Sequence, residues 1–68
     1  MRLVNKQGHA INVGDIIHDF RDVPAVVLSW NEPRHSGSSG YVNVRSMDEH
    51  RMHSSCYVNV YNLEWSEL

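Results

Sequence analysis

The sequence predicts a small all-β domain, four to five short antiparallel strands bent into a barrel, spanning residues 1–68 as one unit. Three observations predict it. Apolar residues come in short runs parted by glycine, proline and asparagine turn signals, as in strand-and-turn folds. No apolar stripe at 3.6-residue spacing persists for three turns. The runs follow one another too closely to leave room for crossover helices, so neighbouring strands must be antiparallel.

Leu3-Val4 is a short apolar pair, and Gly8 in Asn5-Lys6-Gln7-Gly8 supplies the positive φ of a tight turn. Ala10-Ile11 meets a second turn signal, Asn12-Val13-Gly14-Asp15. Ile16-Ile17-His18-Asp19-Phe20 is short and β-rich, and Arg21-Asp22-Val23-Pro24 closes it, its proline marking an edge or turn. Ala25 to Trp30 is the most apolar stretch and reads as a buried strand. Tyr41-Val42-Asn43-Val44-Arg45 alternates cleanly, which puts Val42 and Val44 in the core and Tyr41, Asn43 and Arg45 outward. Ser46 to Arg51 is charged and turns the chain. A strand over roughly Met52 to Val58 follows, then one helical turn or a bend at Asn59-Val60-Tyr61-Asn62, with Asn62 suited to the left-handed conformation. Leu63-Glu64-Trp65 is the last strand.

Between Trp30 and Tyr41 lie ten residues, where a hairpin needs two to five. Most are polar, small or backbone-permissive. Such a break is either slack or the working part of the molecule.

Composition narrows the function classes. A chain of 68 residues with an apolar fraction of 41% supports one compact core. The net charge of −2 argues against a general polyanion binder. From Arg34 to His53, however, three arginines and three histidines face only Asp48 and Glu49. The lone Cys56 excludes an internal disulfide and suits a reducing compartment. The amino terminus lacks a signal peptide's apolar stretch, and no run approaches the ~20 apolar residues of a membrane span. The expected location is the cytoplasm.

The order of elements resembles small SH3-like barrels of the KOW and Tudor groups. The residues that carry this are Val13-Gly14-Asp15-Ile16-Ile17, Pro24-Ala25-Val26-Val27, Val42-Asn43-Val44 and the bend before Leu63-Glu64-Trp65. The wording of most of the chain also resembles short proteins of tailed bacteriophages and prophages, above all residues 13–21, 32–40 and 63–65. That likeness implies origin and fold rather than an activity. Asp22-Val23 stands where KOW modules usually place a glycine, and the chain is acidic where many of them are basic.

No constellation makes an enzyme, and no catalytic residue or cofactor is assigned. His50, His53 and Cys56 are chemically good zinc ligands, but positions three apart on a strand face opposite ways, and a fourth ligand would have to come from His9, His18 or His35. No metal site is therefore assigned. Ser54, Ser55 and Cys56 follow His53 without a sharp-turn nucleophile motif. Asp15, Asp19 and Asp22 do not match a calcium loop and read as solvated acids around a turn. Gly37-Ser38-Ser39-Gly40 lacks the lysine and helix of a phosphate-binding loop.

The aromatics are expected to build the core for the most part, Trp30 and Trp65 first, with Tyr41 the outward exception. Tyr41, Asn43 and Arg45 beside Arg34 and His35 have the composition of a binding hot spot. The expectation is a non-enzymatic module that contacts a protein, a host or phage factor, through the 31–40 loop and this strand face. Nucleic-acid binding by the locally basic 34–53 segment is the second reading. Self-association through a strand edge is the further partner expectation, and no membrane partner is expected.

Overall fold

The computed structural model describes residues 1–34, 39–48 and 52–67. His35, the glycine-serine stretch 36–38 and His50 lie outside the described residues. Six strands are present among the described residues: β1 (Arg2–Asn5), β2 (Ile16–His18), β3 (Pro24–Asn31), β4 (Tyr41–Ser46), β5 (His53–Cys56) and β6 (Leu63–Ser66), with a 3-10 turn at Val58–Tyr61. The all-β expectation holds, and the helical turn stands before the last strand. Asn62 ends that turn in the left-handed region at φ 57°. The strand count is six rather than four to five, because Leu3 and Val4 are the centre of a full strand that pairs with β6.

The strands form two antiparallel sheets, β1-β6 and β2-β3-β4-β5. The expected closure into a barrel does not occur among the described residues. β1 and β6 pair with each other, and the end strands β2 and β5 have only three and four residues with which to reach further. β2 and β5 are therefore edges of the larger sheet.

The core is where the alternation places it. Val42 and Val44 are 0% and 1% exposed, and Leu3, Ile17, Ala25, Val27, Val58, Tyr61 and Leu63 pack with them. No polar or charged residue is buried among the described residues. The aromatics correct the expectation. Tyr61 is the buried one, Trp30 and Trp65 are half-buried against the core, and Phe20 and Tyr57 are exposed.

β3 holds a bulge. Val27 pairs with Val44, but Ser29 pairs with Asn43, so Leu28 is an extra residue. Without it the inward positions after Ala25 and Val27 would be Ser29 and Asn31. With it Trp30 stands opposite buried Val42, and Ser29 and Asn31 turn outward with Asn43 and Tyr41. One extra residue reverses the phase of every later side chain.

The turn between β2 and β3 is built around Asp19, which is a structural acid and not a solvated one. Its side chain is 8% exposed. Oδ1 accepts from the backbone N–H groups of Arg21 (2.8 Å) and Val23 (3.0 Å), and Arg21 Nη2 reaches Oδ2 at 3.2 Å. The Val23 N–H, first among these, holds its carboxyl below the ordinary range. Asp22 sits at φ 63°. Aspartate tolerates this conformation at a cost. Asp22→Gly is therefore expected to raise stability by about 0.5 kcal/mol, the relief of strain outweighing glycine's greater chain entropy. Thermal unfolding checks it, and a lower midpoint for the variant would show that Asp22 is unstrained.

Candidate functional site

The outer face of the β2-β3-β4-β5 sheet carries three transverse rows. Asn31 and Tyr41 form the first, Ser29, Asn43 and Ser55 the second, and Ile16, Val26, Arg45 and His53 the third. These four strands contain no Asp or Glu.

The middle row is a hydrogen-bonded ladder. Asn43 Nδ2 donates to Ser29 Oγ at 2.9 Å and to Asn31 Oδ1 at 3.3 Å, and Ser55 Oγ donates to Asn43 Oδ1 at 2.5 Å. Both donors of the Asn43 amide are committed to neighbours. Asn43 is thus a brace that ties three strands together, rather than a group open to a ligand.

Tyr41 is 42% exposed at one end of the face. Beyond it stands Tyr57, 66% exposed, which parity places on the same side as Ser55 and His53. The two tyrosines line a cleft of about 540 Å³ with Ser55, Cys56 and Val60. A second cleft of about 450 Å³ lies along Tyr57, Ser39, Lys6 and Trp65, so Tyr57 borders both. Sequence reasoning missed Tyr57, although the pattern held the signal: in a strand where Cys56 and Val58 turn inward, Tyr57 turns outward.

Arg45 stands at the other end, four residues from Tyr41, which is about 13 Å along a strand. It is exposed and has no ion-pair partner among the described residues. Arg34 is exposed just beyond Pro33, whose ring lies beside Gly40 in the seam with Trp65. The expected site residues therefore divide. Tyr41 holds one end of the face, Arg45 holds the other, Asn43 braces the space between, and Arg34 lies in the loop after β3. His35 lies outside the described residues.

The loop between β3 and β4 is not slack at its base. Trp65 Nε1 donates to the Ser39 carbonyl at 2.7 Å, and Gly40 is buried in the seam beneath it at φ 63°. The half-buried indole fixes the backbone from which Tyr41 projects.

Cys56 and His53 lie on opposite faces of β5: Cys56 opposes buried Val42, and His53 opposes exposed Arg45. Cys56 and Ser54 are turned away from His53, whereas Ser55 shares its face. Beneath the site, burial and then the adjacent Cys56 thiol push the Tyr61 phenol up to about 12. The folded pKa is raised above the unfolded value of ~10, so this contribution to stability is complete below pH ~10 and is lost as pH rises towards 12. Urea unfolding from pH 9 to 12 should show a fall in stability that Tyr61→Phe makes shallower. Parallel curves for the two proteins would remove Tyr61 as its source.

Compared with known proteins, the chain matches no family model, no curated sequence and no solved structure. No helix among the described residues is long and apolar enough to cross a membrane.

Proposed function

We propose that the chain is a small non-enzymatic binding module that contacts a protein partner through the outer face of its four-stranded sheet and the base of the 31–40 loop. The observation that carries this reading is a sheet face whose strands hold no Asp or Glu, with two exposed tyrosines at one end and, at the other, an arginine that has no ion-pair partner among the described residues. Tyrosine and arginine dominate binding hot spots because they combine large contact area with directed hydrogen bonds. The ladder through Asn43 and the seam at Trp65 hold the face in place before a partner arrives, which lowers the ordering cost of binding. The resemblance to short tailed-phage proteins directs the search for the partner to host and phage factors.

The test is capture from a bacterial lysate by the immobilised protein. Arg34→Ala with Tyr41→Ala is expected to lower capture of a specific partner at least tenfold while thermal unfolding stays within a few degrees of the parent. Unchanged capture by a folded double variant refutes the site. Arg34 and Arg45, which have no ion-pair partner among the described residues, also suit phosphates. Under that second reading, affinity for single-stranded oligonucleotide falls steeply with salt, and no binding at low salt near pH 6 eliminates it.

A further inference from the structure

The face described above ends at β5, and β5 is an open edge. It has β4 on one side and no strand on the other among the described residues. Of the usual defences of such an edge, His-Ser-Ser-Cys has its shortness alone and carries no lysine, proline or inward charge. Ser54 occupies an inward position, opposite buried Val44, yet is itself exposed. The layer beneath this edge is therefore uncovered as well. Tyr57 continues the extended backbone past the end of β5, with φ −63° and ψ 144°. An incoming strand would find room on both faces, the tyrosine cleft at one end and the Arg45–His53 row at the other.

Charge selects the occupant. Two side chains that accept anions, Arg45 and His53, stand side by side in register, and no carboxylate of the four strands answers them. A second copy of β5 would bring no acid to Arg45. An acidic segment would.

We propose that the contacting element of the partner is an extended acidic peptide segment that adds as a strand beside β5. It seats an aromatic side chain against Tyr41 and Tyr57 and a carboxylate on Arg45, four residues further along. This rests on the binding-module reading and names its ligand. Backbone hydrogen bonds to the β5 edge supply affinity, and the two end contacts supply register. The four-residue spacing follows from the rise of ~3.3 Å per residue along β4.

The probe is a nine-residue peptide of threonine and valine that carries one tryptophan and, four residues on, one aspartate, followed by amide NMR of the labelled protein. The Ser46 N–H bonds the opposite Met52 carbonyl, so in this register Ser54 and Cys56 face β4 and the amides of His53, Ser55 and Tyr57 face the open edge; binding is expected to perturb those three together with Arg45. Aspartate-to-asparagine exchange in the peptide, or Arg45→Gln in the protein, should each weaken binding tenfold or more. Methylating alternate peptide amides on the paired side should abolish it without touching the protein. Equal binding by the asparagine peptide, by a peptide with three-residue spacing or by the methylated peptide overturns the proposal. So does concentration-dependent dimer formation through the same amides, or a preference for oligothymidylate over the peptide. A lysate partner that depends on Tyr41 but is indifferent to Arg45→Gln would leave the module reading standing and remove this one.

Discussion

Replacing Gly40 by alanine is expected to destabilise the protein by about 2–4 kcal/mol, from left-handed backbone strain and overpacking together. A Cβ built on Gly40 would stand 2.6 Å from the Asn31 carbonyl oxygen, 2.8 Å from Trp65 Cζ2 and 2.9 Å from Pro33 Cδ. The first of these is backbone at the end of β3 and has no rotamer by which to withdraw. The position also sits at φ 63°. A domain of this length has roughly 3–10 kcal/mol of stability in total, so the variant loses a large share of it. Gly8 and Gly14 are the controls. They too have positive φ, at 84° and 94°, but nothing lies within 4 Å of a Cβ on either. Alanine there should cost only the backbone penalty, about 1 kcal/mol. Chemical denaturation of the three variants separates strain from clash. Equal losses at all three sites would show that the Gly40 seam yields.

That seam explains why the break between β3 and β4 was readable as important but not as built. The stretch is long for a hairpin loop, nine residues once Asn31 is counted in β3. Its anchoring depends on Trp65, which is distant in sequence, and a long-range contact leaves no local pattern. Elsewhere the local pattern sufficed. Val42 and Val44 alternate with polar neighbours, so one face of β4 had to be the core. Asn62 and the turn glycines reported backbone geometry that other side chains resist. β3 was harder. Ala25, Val26, Val27, Leu28 and Trp30 are apolar at both parities, so no alternation marks where the bulge falls. Only pairing with β4 puts Ser29 and Asn31 outward. The candidate site divides in the same way. Tyr41 and Arg45 followed from parity, whereas the brace made by Asn43 needed its neighbours on β3 and β5, and Tyr57 needed the end of β5.

Trp65→Ala is expected to cost about 2–4 kcal/mol, somewhat less than a fully buried indole because half of this one is covered. The loss has two parts that Trp65→Phe separates. Phenylalanine keeps apolar contact with the core cluster but cannot donate to the Ser39 carbonyl. Since Ser39 is exposed, water can satisfy that carbonyl, and the cost should be near 1 kcal/mol, or a midpoint lower by about 4–8 °C. A wild-type midpoint for Trp65→Phe would mean that the bond contributes nothing. The two substitutions at the seam should also fail to add. Phenylalanine lacks the Cζ2 that a Cβ on Gly40 would strike at 2.8 Å, so part of the clash in Gly40→Ala disappears in the Trp65→Phe background. The double variant should therefore be more stable than the sum of the single losses, by about 0.5–1 kcal/mol. Partner affinity should follow the bond and not the clash. Tyr41 projects from the residue after Gly40, and a loop base released from Trp65 leaves its ring to be ordered by the partner, which weakens binding even where the protein remains folded.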